Sequence, residues 1–158
     1  MQGDSKVIDY LNAELKNELT AVHQYLLHAR LYQHWGFEEL GTHEYNESME
    51  ELTHADKLIV RILMLDGVPN LQDLHALAVG KDTLEALQND LKLEQAAQAQ
   101  CKEAVVHCES VRDFVSREIL VELLDATEDH IDWLEIQIGL IDKIGIENYQ
   151  QSAIHKLA

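Results

Sequence analysis

Glu47-Ser48-Met49-Glu50-Glu51-Leu52-Thr53-His54-Ala55-Asp56 is the stretch on which the reading of this 158-residue chain turns. Glu51 and His54 stand three residues apart, which on a helix puts them on one face, one turn apart. A carboxylate and an imidazole so arranged can hold one metal ion between them. A lone E-x-x-H proves little, because in an acidic helical protein it arises by chance and then faces solvent. Its weight comes from the rest of the chain.

Composition bounds the answer. Hydrophobic residues make up 46%, with one Pro and seven Gly, which predicts an ordered, mostly helical chain. The length suits one domain over 1–158 with a real core. A net charge of -17 argues against nucleic acid as a partner, since no basic patch is present to meet phosphates. It fits a surface that draws in cations, and equally one that only aids solubility. No signal-like apolar run follows Met1, and no stretch reaches transmembrane length, so no membrane partner is expected. Cys101 and Cys108 lie seven apart on one predicted helix, about 10 Å along its axis, too far for a disulfide. Free thiols imply the cytoplasm.

The helices follow from the apolar spacing. Val7, Ile8, Leu11, Leu15, Leu19, Val22, Leu26 and Ala29 recur at threes and fours, predicting a helix over about 5–35 that is capped by Asp4 or Ser5 and stopped at Gly36. A second helix over about 37–65 carries the opening motif and ends at Asp66-Gly67. The short turn makes the pair antiparallel. Helical regularity then lapses from Pro69 to about Lys81, a length that suits a connection back along the bundle. Helices over about 83–111 and 113–144 follow, broken at Gly145, and then a short amphipathic segment over 146–155. The expected fold is all-α: a four-helix bundle with a long crossover between helices two and three and a short C-terminal fifth helix.

The strongest signal is an internal repeat at an offset of 76. Glu18 answers to Glu94, His54-Ala55-Asp56 to His130-Ile131-Asp132, and Leu11, Leu15 and Leu58 to Leu87, Leu91 and Leu134. One helical hairpin thus appears twice, with Glu in its first helix and His in its second. Antiparallel packing brings these side chains to similar depth around a shared centre. Ferritin-like di-iron bundles use this pattern, one Glu from each of two helices and E-x-x-H from each of the other two. Symmetry calls for Glu at position 127, but the chain reads Thr127-Glu128-Asp129-His130, and Glu128 is rotated by about 100° around the helix. Five ligands remain, Glu18, Glu51, His54, Glu94 and His130, with Thr127 or a shifted Glu128 to fill the gap.

Beyond the ligands, Asn17-Glu18-Leu19, Gln24-Tyr25, Leu27-His28-Ala29-Arg30, Trp35-Gly36, Arg61-Ile62-Leu63, Pro69-Asn70-Leu71-Gln72-Asp73-Leu74, Tyr149 and Gln150 carry a resemblance to bacterioferritins over essentially the whole chain. The resemblance implies a hollow shell of twenty-four subunits that oxidises Fe(II) and stores it as ferric mineral, with the last helix lining fourfold channels. It implies a ferredoxin-type reductant for iron release and a redox or hydrogen-bonding role for Tyr25, whose alternative is a plain core tyrosine. Two departures matter. In the family the residue at 127 bridges both irons, and here it is Thr127. Met at position 52 from two subunits clamps haem b, and here Leu52 has no donor atom. Met49 and His23 do have donors, but each sits at a different angle on its helix.

Two Fe(II) ions carry +4, against three carboxylates in the five-ligand set. Two functions follow. One is a working ferroxidase with a modified centre, slowed by Thr127. The other is a weak storage or nucleation subunit that assembles with a second bacterioferritin. Glu44, Glu47 and Glu50 form an acidic stretch that either faces the mineral cavity or is simply solvated. Asp56 and Asp132 read as surface residues, and Trp35 and Trp133 as packing. His28, His34, His43, His75, His107 and His155 follow no usable pattern.

Overall fold

The computed structural model describes residues 1–154. Four long helices, α1 (Ser5–His34), α2 (Glu38–Met64), α3 (Thr83–Ser110) and α4 (Phe114–Ile144), precede a short α5 (Ile146–Ser152). Each limit lies within a few residues of the sequence expectation. The expected end of the last helix at 155 and His155 itself lie outside the described residues.

The starts of α1, α3 and α4 are made by aspartates. Asp4 accepts from the Val7 N–H, Asp82 from Glu85 and Asp113 from Ser116, each at 2.9 Å, so each satisfies an otherwise unpaired amide of a first turn. The ends of α1, α2 and α3 share one device. Phe37 N–H reaches Tyr32 O at 2.8 Å, Gly67 reaches Ile62 O at 2.9 Å, and Asp113 reaches Cys108 O at 2.9 Å. These are the long closing bonds of Schellman caps, which need a left-handed residue just past the helix. Gly36 fills that position after α1, but Asp66 (φ 59°) and Arg112 (φ 63°) fill it after α2 and α3. Asp113 also accepts a 2.8 Å bond from the buried Arg61, tying the lower end of α2 to the start of α4.

Between Leu65 and Asp82 the chain is extended and runs parallel to α1. Without a helix or sheet of its own, it must find acceptors for its amides elsewhere. One polar stripe of α1 supplies them. Asn12 accepts from Asn70 N–H at 2.8 Å, Thr20 from His75 at 3.0 Å, Gln24 from Ala78 at 3.1 Å, and His28 Nε2 from Gly80 at 2.9 Å. His75 also pairs with Asn17 at 2.9 Å. Two histidines that follow no pattern in the sequence thus fasten the crossover. Gly80 is required there, because a Cβ would lie 2.3 Å from the Ala86 amide nitrogen. The strap makes α3 parallel to α2 and sets the two hairpins face to face.

The apolar core is split. Val7, Leu11, Leu15, Leu58, Ile62, Leu120 and Leu123 fill one end of the bundle. Tyr32, Leu40, Leu87, Leu134 and Ile141 fill the other, where α5 packs Tyr149 and Ala153 against them. Between them lies a layer of buried polar groups: Glu14, Glu18, Glu51, His54, Glu94, Thr127 and His130, all 6% exposed or less. Among the described residues no helix is long and apolar enough to cross a membrane.

Gln24→Leu keeps the buried volume but leaves the Ala78 amide unpaired and takes one of two donors from Asp90 Oδ1, with His28 remaining, a loss of about 1–3 kcal/mol. The expected outcome is faster hydrogen exchange over residues 75–80, with α2 and α4 unchanged. Wild-type exchange in that segment would contradict the fastening role.

Candidate metal centre

The central layer holds two half-sites, each built on an imidazole nitrogen that faces carboxylates. In the first, His54 Nδ1 lies 3.4 Å from Glu18 Oε2 and 3.4 Å from Glu51 Oε2. One ligand atom from each of these three residues falls within 4.8 Å of the others. In the second, His130 Nδ1 lies 3.1 Å from Glu94 Oε1 and 3.8 Å from Glu47 Oε2. Glu47, Glu51 and His130 likewise bring ligand atoms within 4.8 Å. The two pairs at the 76 offset, Glu18/Glu94 and His54/His130, thus converge with Glu51 in one buried layer, and Glu51 is common to both halves.

Tyr25 donates a 2.5 Å hydrogen bond to Glu94 Oε1 and sets its ring edge-on to His130, centroids 5.3 Å apart. Its hydroxyl is thus satisfied by a carboxylate of the central layer. Thr127 is buried one turn before His130. Glu128 is turned away: it is exposed, accepts from Gln98 at 3.0 Å, and lies 3.7 Å from Lys102. The register keeps it out of the centre. Asp56 and Asp132 are exposed. Leu52 is 47% exposed beside an apolar cleft with Leu19, Ile59 and Leu71, and its side chain offers a haem iron no donor.

The acidic stretch of α2 divides into three environments. Glu50 is exposed, Glu47 leans into the centre with 20% of its side chain exposed, and Glu44 is wholly buried. Glu14 is also wholly buried, near the first half-site. Burial pushes its carboxyl up to about 8, the Glu94 and Glu51 charges adding to the rise and a bond from Asn17 opposing it. Sequence reasoning passed over Glu14 and left Glu47 undecided. The usable signal was that Glu47 and Glu51 are four apart on one face, with threonine at the position that symmetry reserves for an acid.

Burial, reinforced by neighbouring carboxylate charge, holds Glu18 and Glu51 well above the usual range. For His130 burial works against the charged form, but the Glu94 hydrogen bond and the Glu94, Glu47 and Glu51 charges prevail and push it up to about 9. These groups therefore hold protons more tightly than they would in water. A cleft of about 490 Å³, with Glu47, Glu50, Asp125 and Asp129 on its walls, leads from the surface between α2 and α4 to His54 and His130.

A second buried trio, His28, Glu44 and Asp90, has different chemistry. His28 Nε2 accepts the Gly80 amide, so the ring's proton sits on Nδ1 and is donated to Asp90 at 2.8 Å. No imidazole lone pair is left for an ion. Glu44 has no hydrogen-bond partner among the described residues, and burial, with the Asp90 charge next, raises its carboxyl well above normal.

An antiparallel bundle with a long crossover, closing on two imidazole–carboxylate half-sites, defines the class of ferritin-like domains, and the Ferritin-like domain family matches residues 8–144. The chain is 47% identical over 157 residues to the bacterial ferritin of Pseudomonas aeruginosa, covering 98% of this chain and 100% of that one. It is 48% identical over 151 residues to the bacterioferritin of Brucella melitensis, covering 96% and 94%. To the bacterioferritin of Rhodobacter capsulatus it is 45% identical over 149 residues, covering 94% and 92%. The chain belongs to the bacterioferritins.

Divalent metal must displace the protons held by His130 and the raised carboxyls. Calorimetric titration of the metal-free protein with Zn(II) at pH 7, in buffers of different ionisation enthalpy, is expected to report proton release and an affinity that rises from pH 6 to pH 9. Uptake without proton release would contradict the assigned protonation.

Proposed function

We propose that this chain is an iron-storing ferroxidase subunit, in which Glu18, Glu51, His54, Glu94 and His130 bind paired Fe(II) substrate ions inside each bundle. The observation that carries the reading is the buried layer of acid and imidazole groups between two apolar cores. Such a layer is unfavourable unless its charges are compensated, and divalent cations supply the compensation. Oxygen and imidazole donors suit Fe(II), with zinc and manganese as competitors.

The chemistry needs little more from the chain than placement. Each Fe(II) gives up one electron, and oxygen or peroxide takes the pair. The two imidazoles and the shared Glu51 keep the ions adjacent, so both electrons leave together. Tyr25 steadies Glu94 through its hydrogen bond. The acidic cleft between α2 and α4 raises the local concentration of cations and gives oxidised iron a way out.

The store itself is a multi-subunit shell, by analogy with relatives that match along nearly their full length. We put its size at twenty-four subunits, with a ferredoxin-type reductant to release iron and a cytoplasmic setting. The buried free thiols Cys101 and Cys108 support the last point. Haem has no place in the proposal, since Leu52 cannot ligate it. The second reading, a catalytically weak subunit that assembles with an intact bacterioferritin, is favoured by one observation: Thr127 stands where a carboxylate is expected.

Anaerobic protein mixed with Fe(II) and oxygen in a stopped-flow instrument distinguishes the two. The expected result is a fast absorbance phase that ends at about two Fe(II) per subunit, followed by slower mineral growth. Slow growth alone, with no fast phase, would overturn the ferroxidase reading in favour of the passive subunit.

A further inference from the structure

The half-sites are unequal in a way that points to one residue. The first takes a carboxylate from α1 and a carboxylate and imidazole from α2. Under the 76 offset, the second should take Glu94 from α3 and an acid and His130 from α4. Its acid is missing, since Thr127 offers only a neutral hydroxyl, a poor ligand for Fe(II). The gap faces another carboxylate. Glu47, one turn before Glu51 on the same face of α2, brings Oε2 to 3.8 Å from His130 Nδ1, the same nitrogen that Glu94 approaches at 3.1 Å. One ligand atom each from Glu47, Glu51 and His130 lies within 4.8 Å of the others.

We propose that Glu47 supplies the carboxylate lost at position 127, so that the second iron position is formed by Glu47, Glu51, Glu94 and His130. The inference rests on the ferroxidase reading and deepens it. Charge supports it: Glu18, Glu51 and Glu94 leave two Fe(II) ions one unit short of neutrality, and Glu47 closes the difference. Shape supports it as well. Thr127 is smaller than the glutamate symmetry calls for, and Glu47 reaches His130 from the facing helix α2. His130 is 4% exposed, so an ion there has few water ligands and depends on the protein's own donors. The donor has in effect moved from α4 to α2. It sits at the open side of the centre, where its partial exposure lets it meet an ion arriving along the cleft.

The test is a Co(II) titration of the assembled, metal-free protein, read by visible absorption, for wild type, Glu47→Gln, Asp132→Asn and the double variant Glu47→Gln/Thr127→Glu. Asp132 is exposed and outside the cleft and controls for a general loss of negative charge. Wild type and Asp132→Asn are expected to take two Co(II) per subunit. Glu47→Gln should keep one tight ion and weaken the second by about tenfold or more. The double variant should recover it by returning the acid to α4, and that recovery also shows that the variants fold. Two tight ions in Glu47→Gln, or equal loss of both, would overturn the assignment of Glu47 while leaving the ferroxidase reading in place. A wild-type protein that takes no Co(II) at the centre would overturn the metal site itself.

Discussion

The structure depends on a buried charge problem. Carboxylates and imidazoles that would ordinarily be solvated are stacked across the middle of a helical bundle, with apolar side chains sealing both ends. Removing ionised groups from water is expensive unless opposite charge or protons accompany them. In the protein alone, burial raises the carboxyls of Glu14, Glu18 and Glu51, and neighbouring carboxylates raise His130, so these groups hold protons more tightly than in water. This arrangement is a compromise, and a divalent cation replaces it with a stronger one. The same feature that weakens the core prepares it to take up metal.

Everything around that layer serves to hold it in register. The strap from Leu65 to Asp82 fixes which ends of the hairpins meet, and it is held by side chains of α1 rather than by its own structure. Asp90 extends the fastening from α3, accepting from Gln24 and His28 at 2.8 Å each. At the opposite end, Arg61 joins α2 to Ser116 and Asp113 at the start of α4. With both ends pinned, the four contributing helices have little freedom to slide, and half-sites 76 residues apart close on one another.

Much of this was legible before any coordinates. Helical spacing marked the four long helices, and the repeat picked out Glu18, His54, Glu94 and His130 together, with Glu51 added by its place one turn before His54 on the same helix face. Less legible were features that depend on which side chain meets which. Asp66 and Arg112 close helices in a conformation usually given to glycine, so the sequence marked those ends without marking the residue that turns the chain. His28 looked patternless because its partner is a backbone amide of an irregular segment, and His75 because it lies in that segment and reaches Asn17 of α1. Glu47 was lost among neighbouring acids, since its distinction lies in the angle at which α2 faces α4 and in the smallness of Thr127.

The account predicts where iron sits. Crystals soaked anaerobically in Fe(II), with anomalous data collected on both sides of the iron absorption edge, locate it directly. Two peaks per subunit are expected inside the bundle, one against Glu18, Glu51 and His54, the other against Glu47, Glu51, Glu94 and His130. Iron confined to the outer or inner surface of the shell, with the central layer still holding protons, would contradict it.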